Sequence, residues 1–147
     1  KVHDEIKTML YDKGQGTARD VKGTRSIAYT RGVMIAMLQV ESIRTAQEKF
    51  GKGKTMTPEQ VRWGLENLNL TQERLNELGF GKILRPIQTS CENHMGTDWS
   101  RIAQWDGAKF NVVSDWYHAD KSMVDPLVKE YGERYAKEKN IQIRDCK

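Results

Sequence analysis

Four side chains of types that bind metals or attack electrophiles lie close together after the middle of the chain. They are Cys91, Glu92, His94 and Asp98. A structural zinc site needs four ligands at workable spacing, and no second clear pair accompanies Cys91 and His94. A Cys–His nucleophile would also need an orienting group, which the sequence does not identify. The segment is predicted to be a polar turn, with a metal site as the alternative.

Two glycine-containing segments, 14–16 and 51–55, have only a superficial likeness to phosphate-binding loops. Neither has the GxxxxGK[ST] or GxGxxG framing after a strand, so both are predicted to be ordinary loops. Arg25, Arg31 and Arg44 could contact phosphate, but Glu41 and Glu48 share their stretch. No pair of carboxylates is arranged for acid–base work. The residues therefore commit the chain to no reaction, and no cofactor is predicted.

The spacing of apolar residues predicts a helix-rich chain. A short helix is predicted over 4–13, followed by a polar loop over 14–20 and a long helix over 29–50. The predicted core face of the long helix contains Val33, Ala36, Met37, Val40 and Ile43. Two further helix starts are predicted at Thr57 and Thr71, the first as a capping box closed by Gln60.

The second part of the chain predicts a hairpin and a last helix. Asp106-Gly107, between segments 101–105 and 109–116, indicates a two-residue β-turn. The last helix is predicted to start at Ser122 or Asp125 and to end at Lys139, with Pro126 in its first turn. Its docking residues would be Leu127, Val128, Tyr131 and Tyr135. Residues 140–147 are predicted to be a tail.

Composition excludes several classes of protein. The 147 residues are 37% hydrophobic with a mean hydropathy of −0.73, and no apolar run approaches a membrane span. A collagen, a coiled coil and a disulfide-dense toxin are excluded as well. The net charge of +4 is spread along the chain, so no nucleic-acid partner is predicted. The polar N-terminal residues show no signal peptide. Cys91 and Cys146 fit two free thiols or one disulfide.

Four segments in this order resemble one protein family: YTRGVM (29–34), VRWGLENL (61–68), SCENHMG (90–96) and IAQWDG (102–107). Together they resemble the C-terminal part of a periplasmic substrate-binding protein of the branched-chain amino acid ABC transporter type. The resemblance implies an α/β fold made of C-terminal segments of the two-lobed type I periplasmic binding fold, helix-rich with a C-terminal β-hairpin and terminal helix. Residues 1–90 would be helical segments of one lobe. Residues 91–147 would hold the hinge crossing, hairpin and terminal helix of the other.

The resemblance also implies a ligand site and a disulfide. Tyr29 is the first candidate ligand contact and Ser26 the second, while most selecting residues of the family would lie upstream. An oxidising periplasmic setting favours a Cys91–Cys146 disulfide. A turn in the family corresponds to 91–96, which favours a structural role for His94.

The function implied is that of an extracytoplasmic solute-binding component of an ABC importer. It would bind a branched-chain amino acid or related small molecule by lobe closure, without enzymatic activity. The partners would be the ligand and the permease subunits, and a homodimer of the chain is a further hypothesis. Three alternatives stay open: a ligand-sensing receptor of the same fold, a small hydrolase using Cys91 and His94, and a helical module without a ligand.

Overall fold

The computed structural model describes residues 1–17 and 19–146. Ala18, in the predicted loop 14–20, and Lys147, at the end of the predicted tail, lie outside the described residues. The helices and strands follow in chain order: α1 (Val2–Met9), α2 (Ile27–Phe50), α3 (Pro58–Glu66), β1 (Asn69–Leu70), α4 (Gln72–Glu77), β2 (Ile87–Gln88), β3 (Ala103–Trp105), β4 (Phe110–Val112) and α5 (Lys121–Glu138). Two 3₁₀ turns, Tyr11–Lys13 and Gly23–Arg25, lie between α1 and α2.

The chain divides into two compact units, residues 1–97 and 98–147. The assignment of residues 1–90 and 91–147 to two lobes is not tested by this division and stays a prediction. Within the described ranges, no helix combines the length and the apolar character that a membrane span requires.

Side-chain caps determine where the helices of the first unit begin. The Ser26 hydroxyl accepts a hydrogen bond from the Tyr29 amide at the start of α2, so this helix begins slightly earlier than predicted. Thr57 and Gln60 form the predicted capping box of α3, with both reciprocal hydrogen bonds present. Thr71 caps α4 through the amide of Arg74, also as predicted.

The core of the first unit lies where α1, α2 and the segment 68–87 meet. Its buried members are Val2, Leu68, Leu70, Leu75, Phe80 and Ile87. The side of α2 that packs against this core contains Val33, Met34, Met37 and Leu38. The predicted core face was therefore partly wrong, because Ala36, Val40 and Ile43 are exposed. Helix α2 has apolar residues on more than one side, so spacing alone did not identify the buried side.

Helices α2 and α3 approach closely at Gly64. A Cβ atom at this position would overlap the carbonyl oxygen of Ser42 and would lie 3.0 Å from the Cβ of Ala46. Ser42 and Ala46 are themselves fully buried. Only glycine allows this contact between the two backbones.

Strands β1 and β2 form a small antiparallel pair that holds the end of this core together. Asn69 pairs with Gln88, and Leu70 pairs with Ile87. The amide of Thr89 donates to the carbonyl of Leu68 at 3.0 Å, which extends the pairing. Strand β1 was not predicted, because two residues between helices carry no periodicity.

The second unit contains the hairpin of β3 and β4. Trp105 pairs with Phe110, so the loop consists of residues 106–109 and not of two residues as predicted. The Asp106 carboxylate accepts hydrogen bonds from the amides of Ala108 and Lys109, both at 2.9 Å. These Asx-type hydrogen bonds stabilise the four-residue loop. Their stabilisation outweighs the preference of Asp-Gly for a two-residue turn.

Helix α5 begins at Lys121, because the Asp120 carboxylate caps the amide of Ser122 at 3.0 Å. Pro126 consequently lies inside the helix, beyond the first turn where it was predicted. The four predicted docking residues are all exposed: Leu127, Val128, Tyr131 and Tyr135. The prediction that these four residues are buried against the rest of the chain was wrong.

The fold is therefore mixed but mostly helical, with two separate two-stranded antiparallel sheets among the described residues. The predicted α/β class, as segments of a two-lobed type I periplasmic binding fold, was wrong. That prediction took the helices as layers that cover a larger sheet, because the sequence order is helices followed by a hairpin. In the first unit the helices instead pack on one another and on a two-residue strand pair.

Candidate functional site

The two predicted ligand residues, Ser26 and Tyr29, lie at the first turn of α2. The Ser26 hydroxyl accepts from the Tyr29 amide at 3.2 Å, so the cap itself brings the two residues together. Ser26 is exposed and Tyr29 is half-buried. The same hydroxyl thus has a structural role in starting the helix, and ligand contact by either residue stays a prediction.

Two of the three arginines that could contact phosphate already have carboxylate partners. Arg25 pairs with Asp4 at 3.2 Å, and Arg44 pairs with Glu41 at 3.0 Å. Paired guanidinium groups offer less positive charge to a phosphate than unpaired ones. This pairing agrees with the mixed charge seen in the sequence.

A buried carboxylate, Glu41, is the centre of the strongest charged cluster in the first unit. Its side chain accepts two hydrogen bonds from Arg74, at 2.9 and 2.7 Å, and one from Arg44 at 3.0 Å. Arg74 also donates to Glu77 at 2.8 Å. The hydrogen bonds that Arg74 donates, first to Glu41 and then to Glu77, raise the pKa of Arg74 above its ordinary value. The two-pronged contact fixes α4 against α2.

A cavity of about 210 Å³ lies beside this cluster. Its lining consists of Glu41, Arg44, Thr45, Glu48, Asn69, Leu70 and Arg74. The charges around it already neutralise one another, so the cavity carries no strong preference for an anion or a cation. Sequence analysis missed the cluster, because residues 41 and 74 are far apart in the chain.

The segment 91–96 is a structural turn, as its composition indicated. The Ser90 hydroxyl accepts from the amides of Glu92 and Asn93, and the Asn93 side chain accepts from Met95. His94 lies 3.7 Å from the carboxylate of Glu66, which also pairs with Arg62 at 3.3 Å.

The metal-site alternative does not assemble in this turn. Throughout residues 1–17 and 19–146, no three His, Cys, Asp or Glu side chains are grouped so that they could hold a metal ion. Cys91 is joined to Cys146 in a disulfide, so its thiol is not free to act as a nucleophile. The disulfide implied by the family resemblance is thus present.

The second unit contains a carboxylate–imidazole pair that sequence analysis did not single out. Asp98 Oδ1 lies 3.0 Å from His118 Nδ1, and the Trp99 ring lies against the imidazole at 3.3 Å between centroids. The hydrogen bond with His118 is the main reason why the pKa of Asp98 falls below its ordinary value. Paired backbone hydrogen bonds between Ser100 and Tyr117 bring residues 98 and 118 together.

This pair has part of the geometry of a general base. A carboxylate that holds Nδ1 leaves Nε2 of the imidazole to accept a proton. Catalysis would also require a nucleophile beside Nε2. In the sequence Asp98 lies close to residues 91–94, whereas its partner His118 lies twenty residues later in the chain.

One solved structure is similar to the chain over its whole length. It is described as the crystal structure of an ABC transporter permease from the Pseudomonas fluorescens group. The two are 37% identical with a TM-score of 0.89, and the match covers 100% of this chain and 35% of that one. The chain therefore spans about a third of the protein that it resembles. No family model and no curated protein matches the chain.

This comparison corrects the family resemblance drawn from the sequence. The chain is similar to part of an ABC transporter permease, and not to a periplasmic substrate-binding protein as the four segments suggested. The two-lobed type I fold is overturned by the same match. The four segments did indicate the ABC transporter relation, but they could not distinguish the kinds of component within such a system.

Proposed function

We propose that this chain serves in an ABC transport system as an extracytoplasmic segment outside the bilayer. The supporting observation is the similarity of the whole chain to part of an ABC transporter permease, with 37% identity and a TM-score of 0.89. Similarity of this extent in both sequence and backbone favours a shared role over a shared fold alone.

The proposed extracytoplasmic location is supported by the disulfide. Cys91 and Cys146 are bonded to each other, so the described chain has no free thiol. Disulfides persist in oxidising compartments and are rare in the reducing cytosol. A periplasmic address is the specific form of this proposal.

The proposed solute is an amino acid of the branched-chain type or a related small molecule. Tyr29 and Ser26 are the proposed contacts, because they lie side by side at the exposed start of α2. Closure of two lobes is not part of the proposal. The proposed role includes no catalytic step.

The transport role is tested by deleting the gene in its native host. Uptake of radiolabelled leucine and of a panel of amides and aromatic acids is then measured. We expect uptake of one solute class to be lost and to return with the intact gene. A tagged chain, cross-linked in intact cells, should purify with an ATPase subunit of an ABC transporter. Unchanged uptake of every solute together with no such subunit would overturn the proposal.

The proposed ligand contacts are tested on the purified chain with matched variants. Ser26→Asn keeps a side chain that can cap α2, whereas Ser26→Ala removes both the cap and the hydroxyl. Tyr29→Phe removes only the phenolic oxygen. If Ser26 contacts the solute, both Ser26 variants should weaken binding of the solute identified by uptake, measured by calorimetry. If Ser26→Asn and Tyr29→Phe bind as tightly as the original chain, these contacts are wrong.

A further inference from the structure

Helix α5 carries an apolar stripe that the described residues of its own unit leave exposed. The stripe, called here the α5 stripe, consists of Met123, Val124, Leu127, Val128, Tyr131 and Tyr135. These side chains are between 37% and 68% exposed. Their three- and four-residue spacing places all six on one side of the helix.

The width of the α5 stripe is typical of a helix that faces a protein core. A coiled-coil seam would be narrower and would repeat strictly every seven residues. The opposite side of α5 is charged, and Lys129 and Glu133 form an ion pair there at 3.9 Å. The helix therefore has one side suited to water and one side suited to another protein surface.

The end of the stripe has the polar rim expected of an interface. The Arg134 guanidinium lies over the Tyr131 ring, 4.4 Å from its centroid. Tyr131, Arg134, Tyr135 and Glu138 line an open groove of about 440 Å³. Tyrosine and arginine are the residues enriched where protein interfaces gain most of their binding energy.

Helix α2 supplies an independent observation of the same kind in the first unit. It leaves Ile35, Val40 and Ile43 exposed, while other apolar residues of the same helix pack against the buried cluster. A helix that is apolar on both sides is usually buried on both sides. Each unit thus presents apolar surface that its own residues leave open.

The similar permease chain extends well beyond the part that matches this chain. All of this chain aligns with only 35% of the similar permease chain, at a TM-score of 0.89. Most of that chain therefore lies outside the matched part. Contiguous apolar surface of this kind marks an interaction site.

We propose that the α5 stripe is a docking surface for polypeptide homologous to the rest of that permease chain. The occupant would present an uncharged apolar surface to the helix, with polar groups only near Arg134 and Glu138. The proposal concerns packing, so it holds whether or not the chain takes part in transport. A second copy of this chain is the competing occupant.

The test is site-specific photo-cross-linking in the native host, with the chain expressed from its own gene. A benzophenone amino acid is placed at Leu127, on the stripe, or at Lys129, on the charged side. Cross-linked peptides are then identified by mass spectrometry. We expect the yield at 127 to exceed that at 129 by at least about tenfold, because only the stripe would lie against the partner. The peptides should align with the rest of the permease chain.

Two results would overturn the proposal. One is cross-linking at 127 to peptides of this same 147-residue sequence from a second copy. The other is a yield at 127 no higher than the yield at 129. Tyr135→Asp provides a second readout, because a charge on the stripe should reduce the yield at 127. Glu133→Asp, on the charged side, should leave that yield unchanged.

Discussion

The two units of the chain are stabilised in different ways. The first has a continuous core of six buried apolar residues, from Val2 to Ile87, and its helices contact one another directly. In the described part of the second unit, Ala136 is the one buried hydrophobic residue. The second unit depends on backbone pairing, local hydrogen bonds and the disulfide. A unit without a core of its own needs a covalent bond or a partner surface to persist.

Reduction of the disulfide is expected to have the largest effect on stability, because the second unit depends on this bond. The bond closes a long loop between residues 91 and 146, and such a closure stabilises by about 4 kcal/mol in the chain-entropy account. Urea unfolding with and without reductant should therefore differ strongly in midpoint. The double variant Cys91→Ser with Cys146→Ser serves as the control, because its midpoint should not respond to reductant. Two alkylatable thiols in the native protein would contradict the bond.

A pair of leucines gives a sharper test of the difference between the units. Leu75 is 0% exposed in the first unit, whereas Leu127 on α5 is 53% exposed. Leu75→Ala should cost about 3 kcal/mol in urea unfolding, because it leaves a cavity in the core. Leu127→Ala should change the stability of the isolated chain by less than about 0.5 kcal/mol. Equal losses at the two positions would show that α5 is packed after all.

Sequence reasoning succeeded where the signal was local. The caps at Thr57 and Thr71 depend on residues within one turn of a helix, and the structure contains both, whereas the cap at Ser26 was not predicted. The cap of α5 at Asp120 was missed, since Ser122 and Asp125 are also typical helix starts. Local chemistry therefore predicted the positions of most helices.

Sequence reasoning failed where a partner lay far away in the chain or outside it. The Glu41–Arg74 and Asp98–His118 pairs depend on strand and helix packing that no spacing rule encodes. Four residues of the α5 stripe were predicted to dock the helix, namely Leu127, Val128, Tyr131 and Tyr135, but the described residues of their own unit leave them exposed. Apolar spacing indicates that a face is to be buried and does not indicate by what.

Two helical glycines are expected to respond in opposite directions. Gly64→Ala would push α3 away from α2, because the new Cβ overlaps the carbonyl oxygen of Ser42. The expected loss of stability is about 2 kcal/mol. A Cβ at Gly132 in α5 would meet nothing within 4 Å. Gly132→Ala should therefore stabilise by about 0.5 to 1 kcal/mol, since alanine is the better helix former. Thermal unfolding of both variants checks the sign, and a loss at Gly132 would contradict the open environment of α5.

The smallest expected effect concerns the acid range and the Asp98–His118 pair. Replacing His118 with Ala removes the main cause of the lowered pKa of Asp98, so that pKa should rise toward its ordinary value. In the folded chain the lowered pKa means that the contribution of Asp98 is complete above about pH 4. That contribution disappears as the pH falls through the lowered value, because protonation breaks the charged hydrogen bond.

Carboxyl ¹³C shifts followed by NMR during an acid titration measure this change directly. Asp106 is the internal control, because the amides of Lys109 and Ala108 are the main causes of its lowered pKa. His118→Ala should raise the pKa of Asp98 and leave that of Asp106 unchanged. If both carboxyls shift together, the hairpin has rearranged as a whole. In that case the Asp98–His118 pair stabilises the structure of the second unit and does not only lower the pKa of Asp98. The difference in packing between the two units would then be smaller than we infer.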